Sequence, residues 1–225
     1  MQDDTPHDLP KDNKLALRQV ARACRKATLA TLLAGDGAPY ASLVTVALDH
    51  DLAPILLLSG LSDHSRNIAA DARVSLLFDG TDGHPNPQTG PRVTLMGRAE
   101  RTDDSRLRDR FLARHPGAAL YAGFADFGFW RVVPDRAHFV GGFGRAVWLA
   151  SPFGLDRGAA DELAAGEAEI RGMVLPDGGA VIGWDVDGVD AIRNDDVFRI
   201  AFARPAENLV TARKALENLQ KQGQN

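Results

Sequence analysis

The stretch Pro39-Tyr40-Ala41-Ser42-Leu43-Val44-Thr45, resumed at Pro54-Ile55-Leu56-Leu57-Leu58-Ser59-Gly60-Leu61-Ser62-Asp63-His64-Ser65-Arg66-Asn67-Ile68, decides how this chain is read. Two apolar, strand-prone runs lead into a small polar turn that opens a helix. Backbone N–H groups unsatisfied at a helix start, hydroxyls and a guanidinium meet there, which is the chemistry of an anion site. The pattern is a β-sheet whose corner could hold a phosphate-like group.

Working outward, Asn13 is placed to cap a helix with Leu15, Leu17, Val20, Ala21 and Cys24 on one face, and residues 1–13 before it form a polar arm. Thr28 to Leu33 and Tyr40 to Leu48 read as a hairpin about Gly35-Asp36-Gly37. Pro54 to Leu58 is a continuous apolar run suited to a covered strand, Ser62 to Ala70 a short helix, and Val74 to Phe78 and Arg92 to Arg101 further strands around a long Gly/Pro-rich loop. Asp103 can cap a helix to Arg114 that turns Leu107, Phe111 and Leu112 inward. Phe127 to Pro134 and Ala137 to Leu149 read as two more strands, the second interrupted by Gly141-Gly142-Phe143-Gly144, where a bulge or a close ligand approach is expected. The tail shows a helix at Asp161 to Glu169, strands at Ala180 to Trp184 and Phe198 to Phe202, and a helix at Ala206 to Gln220. Many short strands with few helices between them imply an antiparallel barrel and exclude a doubly wound parallel sheet.

Composition sets the limits. The chain has 225 residues, 44% of them apolar and 25% charged, with a net charge of −4, so it can build one large domain or one with an appendage and carries no basic excess for nucleic acid. The one cysteine, Cys24, can form no internal disulfide and reads as a small hydrophobe. With no signal-peptide pattern and no long apolar span, a cytoplasmic protein that does not enter membranes is expected. No Gly-x-Gly-x-x-Gly turn, Walker loop, Gly-x-Ser-x-Gly elbow or zinc-type His/Cys spacing occurs, which removes the common nucleotide, hydrolase and metal-site classes. Asp103-Asp104 and Asp195-Asp196 read as cap and turn charges, and Trp130, Trp148 and Trp184 as core or interface anchors.

The order of these elements, with Ser59-Gly60-Leu61-Ser62-Asp63-His64-Ser65-Arg66-Asn67 and Val140-Gly141-Gly142-Phe143-Gly144-Arg145-Ala146-Val147-Trp148-Leu149, resembles the FMN-binding split barrels related to pyridoxamine 5′-phosphate oxidase, and within them the HugZ-type haem oxygenases. The resemblance implies a mainly β (α+β) fold: a six-stranded antiparallel split β-barrel over residues 14–150, with flanking helices and a small C-terminal α+β domain over 151–225. It also implies a homodimer with a flavin in the cleft between subunits. The implied cofactor contacts are Ser42, Val44, Thr45, Ser59, His64, Ser65, Arg66, Asn67, Phe143 and Arg145. The expected function is an FMN-dependent oxidoreductase acting on a small molecule. The alternatives are a haem-binding or haem-degrading protein, or a barrel that has lost its cofactor.

Two residue patterns depart from the family's. The oxidases grip phosphate with a Ser-Arg-Lys turn, whereas this turn reads Ser62-Asp63-His64 and the strand from Tyr40 to Thr45 carries no Arg or Lys. The haem enzymes place an iron-ligating histidine in the C-terminal segment, whereas no histidine follows His138 here. His64 and His138 remain as candidate ligands.

Overall fold

The computed structural model describes residues 9–221; most of the expected N-terminal arm, residues 1–8, lies outside them. Helix α1 (Asn13–Ala23) is followed by β1 (Lys26–Leu32), β2 (Pro39–Thr45), β3 (Ala47–Leu48), β4 (Pro54–Ser59), α2 (Asp63–Ala70), β5 (Arg73–Asp79), β6 (Arg92–Arg101), α3 (Ser105–Arg114), β7 (Phe127–Val140) and β8 (Ala146–Ala150). The tail adds α4 (Arg157–Ile170), β9 (Ala180–Asp185), β10 (Gly188–Arg193), β11 (Asp196–Ala201) and α5 (Leu209–Lys221).

The first sheet runs β2-β1-β5-β6-β7-β4-β3, all antiparallel, with β8 hairpinned onto β7. Its two ends are consecutive in the chain. β2 pairs β1 and, after one residue, β3 pairs β4, so a single bent strand touches both edges and curls the sheet into a split barrel. Val46 makes the bend: its N–H donates to the Arg25 carbonyl at 3.0 Å, and its own carbonyl meets His115 Nε2 at 2.9 Å. Counting the bent strand once, six strands form the barrel, as expected. The continuous strand expected from Tyr40 to Leu48 is therefore broken at Val46.

Alternation fills the interior. Leu29, Leu76, Phe78, Leu95 and Phe139 are fully buried, while their strand neighbours face outward. α1 closes the barrel with Ala16, Leu17, Val20 and Ala21. Two helix caps sit one residue from the expected position: Asp12, not Asn13, caps α1 by accepting from Lys14 N at 2.8 Å, and Asp104, not Asp103, caps α3. Cys24 ends α1 half-buried, with its thiol against the Val20 and Asp79 carbonyls, and burial pushes its pKa up to about 11, so the thiol is inert at neutral pH.

Four further expectations are corrected. Phe127 to Val140 is one uninterrupted strand, and the glycines after it form a hairpin turn in which Gly142 and Gly144 take φ of 116° and 74°, a conformation side chains disfavour. The bulge lies instead at Met96/Gly97. A β-carbon on Gly97 would press into the Val133 carbonyl, so Gly97→Ala is expected to cost about 1–3 kcal/mol, seen as a lower urea midpoint; an unchanged midpoint would show that the strands yield there. Finally, β10 is a strand where none was expected, and α5 starts at Leu209 rather than Ala206.

The tail is joined to the barrel by buried ions. Arg18 and Arg22 of α1 reach Asp187 at 2.8 and 3.2 Å, and Arg22 also reaches Asp185 at 2.9 Å. On α3, Arg110 pairs with Glu167, and Arg114 meets Asp190 at 2.6 Å. Arg199 of β11 bridges Asp185 and Asp190 at 2.8 and 3.2 Å. Burial alone would raise Glu167, but Arg110, His50 and Arg171 outweigh it and hold the carboxyl at about 2.

Candidate functional site

The strand–helix corner that dominates the sequence is self-satisfied. Ser59 Oγ donates to Asp126 at 2.6 Å, Ser62 Oγ to the Ser59 carbonyl at 2.7 Å, and Ser62 and Ser65 hydroxyls meet at 3.0 Å. Arg66 donates to the Leu61 carbonyl at 2.7 Å and pairs with Asp63 at 2.5 Å. Asn67 is structural: it accepts from Ala34 N at 3.1 Å and donates to Thr31 Oγ1 at 3.0 Å, tying α2 to the β1–β2 turn. His64 Nδ1 lies 3.1 Å from Ser42 Oγ. Burial pushes the His64 pKa below its ordinary value, with Asp63 opposing, so the imidazole is neutral at pH 7.

The consequence for a phosphate dianion is unfavourable. Its cation is already paired, its imidazole is uncharged, and two carboxylates, Asp63 and Asp126, stand at the corner. Asp126 could not be assigned there from the sequence, because it arrives from the segment before β7.

The other expected contacts scatter. Val44 is packed in the core at 6% exposure and presents no surface, while Thr45 is an exposed strand end. Phe143 sits at the hairpin tip, 80% exposed. Arg145 reaches Asn13 Oδ1 at 2.8 Å and the Pro10 and Lys11 carbonyls, and lies 5.2 Å from the Phe139 ring centre, so it tethers the N-terminal segment to the barrel. Thus Ser42 and His64 come together; Arg145 and Phe143 serve a different part of the molecule.

A second feature lies on the outer face of the sheet. The strand registers align two lateral rows there. One reads Leu43, Thr28, Leu77, Thr94, His138 and Trp148 across β2, β1, β5, β6, β7 and β8. The next reads Ala41, Ala30, Ser75, Met96, Arg136 and Ala150. Because Ala41, Ala30 and Ser75 are small, the second row sinks between taller neighbours and leaves a groove of about 750 Å³, lined by Ala30, Ser75, Met96, Arg98 and Arg136 among others.

Its charge is unevenly satisfied. Arg73 is held by Asp71 at 2.5 Å, but among the described residues Arg98 and Arg136 form no ion pair, although Glu100 and Asp135 also line the groove. Arg136 lies 5.7 Å from the Trp148 ring centre, and Trp148 stacks on His138 with centroids 4.7 Å apart. Trp148 is 56% exposed, so it is no core anchor; Trp184 is fully buried and Trp130 packs on the core. The outer position of Met96 and Arg98 could have been read from the alternation of Val93 and Leu95, but which residues of β5 and β1 lie beside them depends on pairing.

Among the described residues no helix is long and apolar enough to cross a membrane, and no group of three or more His, Cys, Asp or Glu is placed to hold a metal ion. The chain is 36% identical over 121 residues to the chloroplastic non-canonical heme oxygenase HOZ of Arabidopsis thaliana, a match covering 52% of this chain and 36% of that protein. It spans well under half the length of that relative. Among solved structures it is similar to Atu2129, a protein of unknown function from Agrobacterium tumefaciens, at 28% identity and TM-score 0.75, covering 96% of this chain and 98% of that one. It is also similar to a heme binding protein from Mycobacterium smegmatis, at 28% identity and TM-score 0.59, covering 96% and 99%. Residues 10–152 match the family described as CREG, beta-barrel, and with the bent strand closing its sheet the chain belongs to that family of split barrels.

Proposed function

We propose that the protein binds haem, or a tetrapyrrole of the same flat and dianionic kind, in the outer groove of its barrel sheet. The observation that carries this reading is the two guanidiniums of Arg98 and Arg136, which form no ion pair among the described residues, beside a floor of Ala30, Ser75 and Met96. A porphyrin needs an apolar bed and cations for its two propionates, and the residues present fit both needs. The relatives described as a heme oxygenase and a heme binding protein support it. Bound haem would supply redox and oxygen chemistry; the chain contributes the bed, the cations and the exclusion of water.

On this reading residues 14–150 carry the groove, and the tail after residue 150 braces α1 and α3 through the buried Asp185, Asp187 and Asp190. A second copy covers the groove, since Leu43, Leu77, Val133 and Trp148 leave the outer face apolar and exposed, at 73%, 39%, 39% and 56%. The half-buried, unpaired cysteine suits a cytoplasmic setting.

FMN at the strand–helix corner is the second reading, favoured by the Ser42–His64 contact and opposed by the Asp63–Arg66 pair. Titrating the purified chain with haemin and with FMN, followed by absorbance and by thermal midpoint, separates the two. Haemin is expected to bind one per chain and raise the midpoint while FMN leaves it unchanged. Saturable FMN binding without haemin binding would reverse the choice.

A further inference from the structure

We infer that Glu100 and Asp135 set the ligand specificity of the groove, selecting a tetrapyrrole with two carboxylates over one with four or more, an assignment that rests on the haem reading above. The groove is polarised across the strands. Its β1–β2 end is lined by Ala30, Leu32 and Pro39, and its β6–β7 end by Arg98 and Arg136 together with Glu100 and Asp135. A third guanidinium in the groove, Arg73, is already held by Asp71.

The strand registers explain how cations and carboxylates come to share one end. On β6, Arg98 and Glu100 alternate with the buried Ala99, so both turn outward. Across the bulge the register passes from Met96 opposite Arg136 to Gly97 opposite Pro134, which leaves Asp135 as the extra residue, next to Arg136. Neither carboxylate forms an ion pair among the described residues. Arg131, the cross-strand neighbour of Glu100, pairs with Asp51 instead, and Asp135 accepts from Ser151 N at 2.9 Å through its backbone carbonyl.

Arg98 and Arg136 answer two propionates and no more. A further carboxylate on the ring has two places to go, and both are unfavourable. Over Ala30, Leu32 and Pro39 it would lose water without gaining a donor, and at the charged end it would meet Glu100 or Asp135. Like charges set against a ligand act chiefly by rejecting the wrong one. The two carboxylates therefore weaken haemin a little and a more highly charged ring much more.

The test compares haemin with iron(III) coproporphyrin, in which propionates replace haemin's two vinyls, so that the iron and the macrocycle are shared and the carboxylates doubled. Each is titrated by absorbance into the full chain, as wild type and as Glu100→Gln with Asp135→Asn, with circular dichroism to show that the variant is folded. At low salt, wild type is expected to bind haemin at least about tenfold more tightly than the coproporphyrin complex. The double variant should bind haemin within about threefold of wild type and reduce that preference to about threefold or less, the remainder being the apolar contact that the vinyls make. Raising the salt to about 0.5 M should narrow the wild-type preference in the same direction, because exposed charges are screened. Equal binding of both probes by wild type, or a preference that neutralising Glu100 and Asp135 does not move, overturns the assignment and leaves the haem reading standing. If the variant fails to fold, the salt series decides, and a preference unmoved by salt overturns the assignment. A wild type that takes up no haemin overturns both.

Discussion

Asp187→Ala is expected to lower stability by roughly 3–5 kcal/mol, because it strips the shared carboxylate from two buried guanidiniums. The Asp187 side chain is fully buried; Arg18 donates to it from Nε and Nη2 at 2.9 and 2.8 Å, and Arg22 at 3.2 Å. Arg22 would retain Asp185 and two carbonyls, but Arg18 would keep only the Phe153 carbonyl at 2.9 Å. In a chain of this length the loss corresponds to a drop in thermal midpoint on the order of 10 °C. The double variant Arg18→Met with Asp187→Leu should recover part of it, since a neutral, well-packed replacement leaves fewer unpaired buried charges. A midpoint within about 2 °C of wild type for Asp187→Ala would show that water reaches the cluster.

Acid should act on the same join. Glu167 has its pKa held at about 2 against an ordinary value of 4.5, so its contribution is complete above 4.5 and is lost as pH falls toward 2. His115, at the barrel bend, is pushed by burial from 6.5 to about 4, so the unfolded chain takes up its proton first and stability declines as pH falls through that interval. Both signs agree. The denaturation midpoint is expected to decline below about pH 6 and more steeply below about pH 4.

The second large effect concerns the ligand. Arg98→Ala and Arg136→Ala should each weaken haemin by about 1.5–3 kcal/mol, the usual contribution of a hydrogen bond to a charged group, or roughly tenfold to a hundredfold. Both side chains are exposed, so the folded state should not notice their loss by more than about 0.5 kcal/mol. Lysine at either position should restore charge but only part of the affinity, because an ammonium cannot grip a carboxylate with two parallel bonds. Unchanged haemin affinity in both alanine variants would remove the groove from consideration.

Much of the fold is legible in the sequence because it is written in local patterns. The alternation of Val74, Leu76 and Phe78, the apolar run at Pro54 to Leu58 and the turn at Gly35 to Gly37 each specify a strand or hairpin without reference to distant residues. The errors fall where local signals compete. Two aspartates in succession left the cap of α3 open by one residue, and Pro134 suggested a break in β7 although it sits next to the bulge, where a missing N–H costs little.

The sites were less legible for a different reason. Ser59, Ser62 and Arg66 have the composition of an anion cradle, yet Asp126, the Ser59 carbonyl and Asp63 respectively satisfy them in the folded state. The groove is the reverse case: Ala30, Ser75, Met96 and Arg136 are unremarkable one by one, and only the pairing of β1, β5, β6 and β7 lines them up. The ion cluster lies between these extremes. Arg18 with Arg22, and Arg110 with Arg114, recur at four-residue spacing on the buried faces of α1 and α3, while Asp185, Asp187 and Asp190 crowd one short stretch of the tail, a complementarity visible once the helices are placed.

The most direct test of where the ligand sits is a haemin titration of two double variants beside the wild type, Arg98→Ala with Arg136→Ala on the sheet face, and Asp63→Asn with Arg66→Ala at the corner. The groove account requires the first pair to lose at least about a hundredfold in affinity and the second to bind within about twofold of wild type. Loss confined to the corner pair, with the sheet-face pair binding normally, would contradict it.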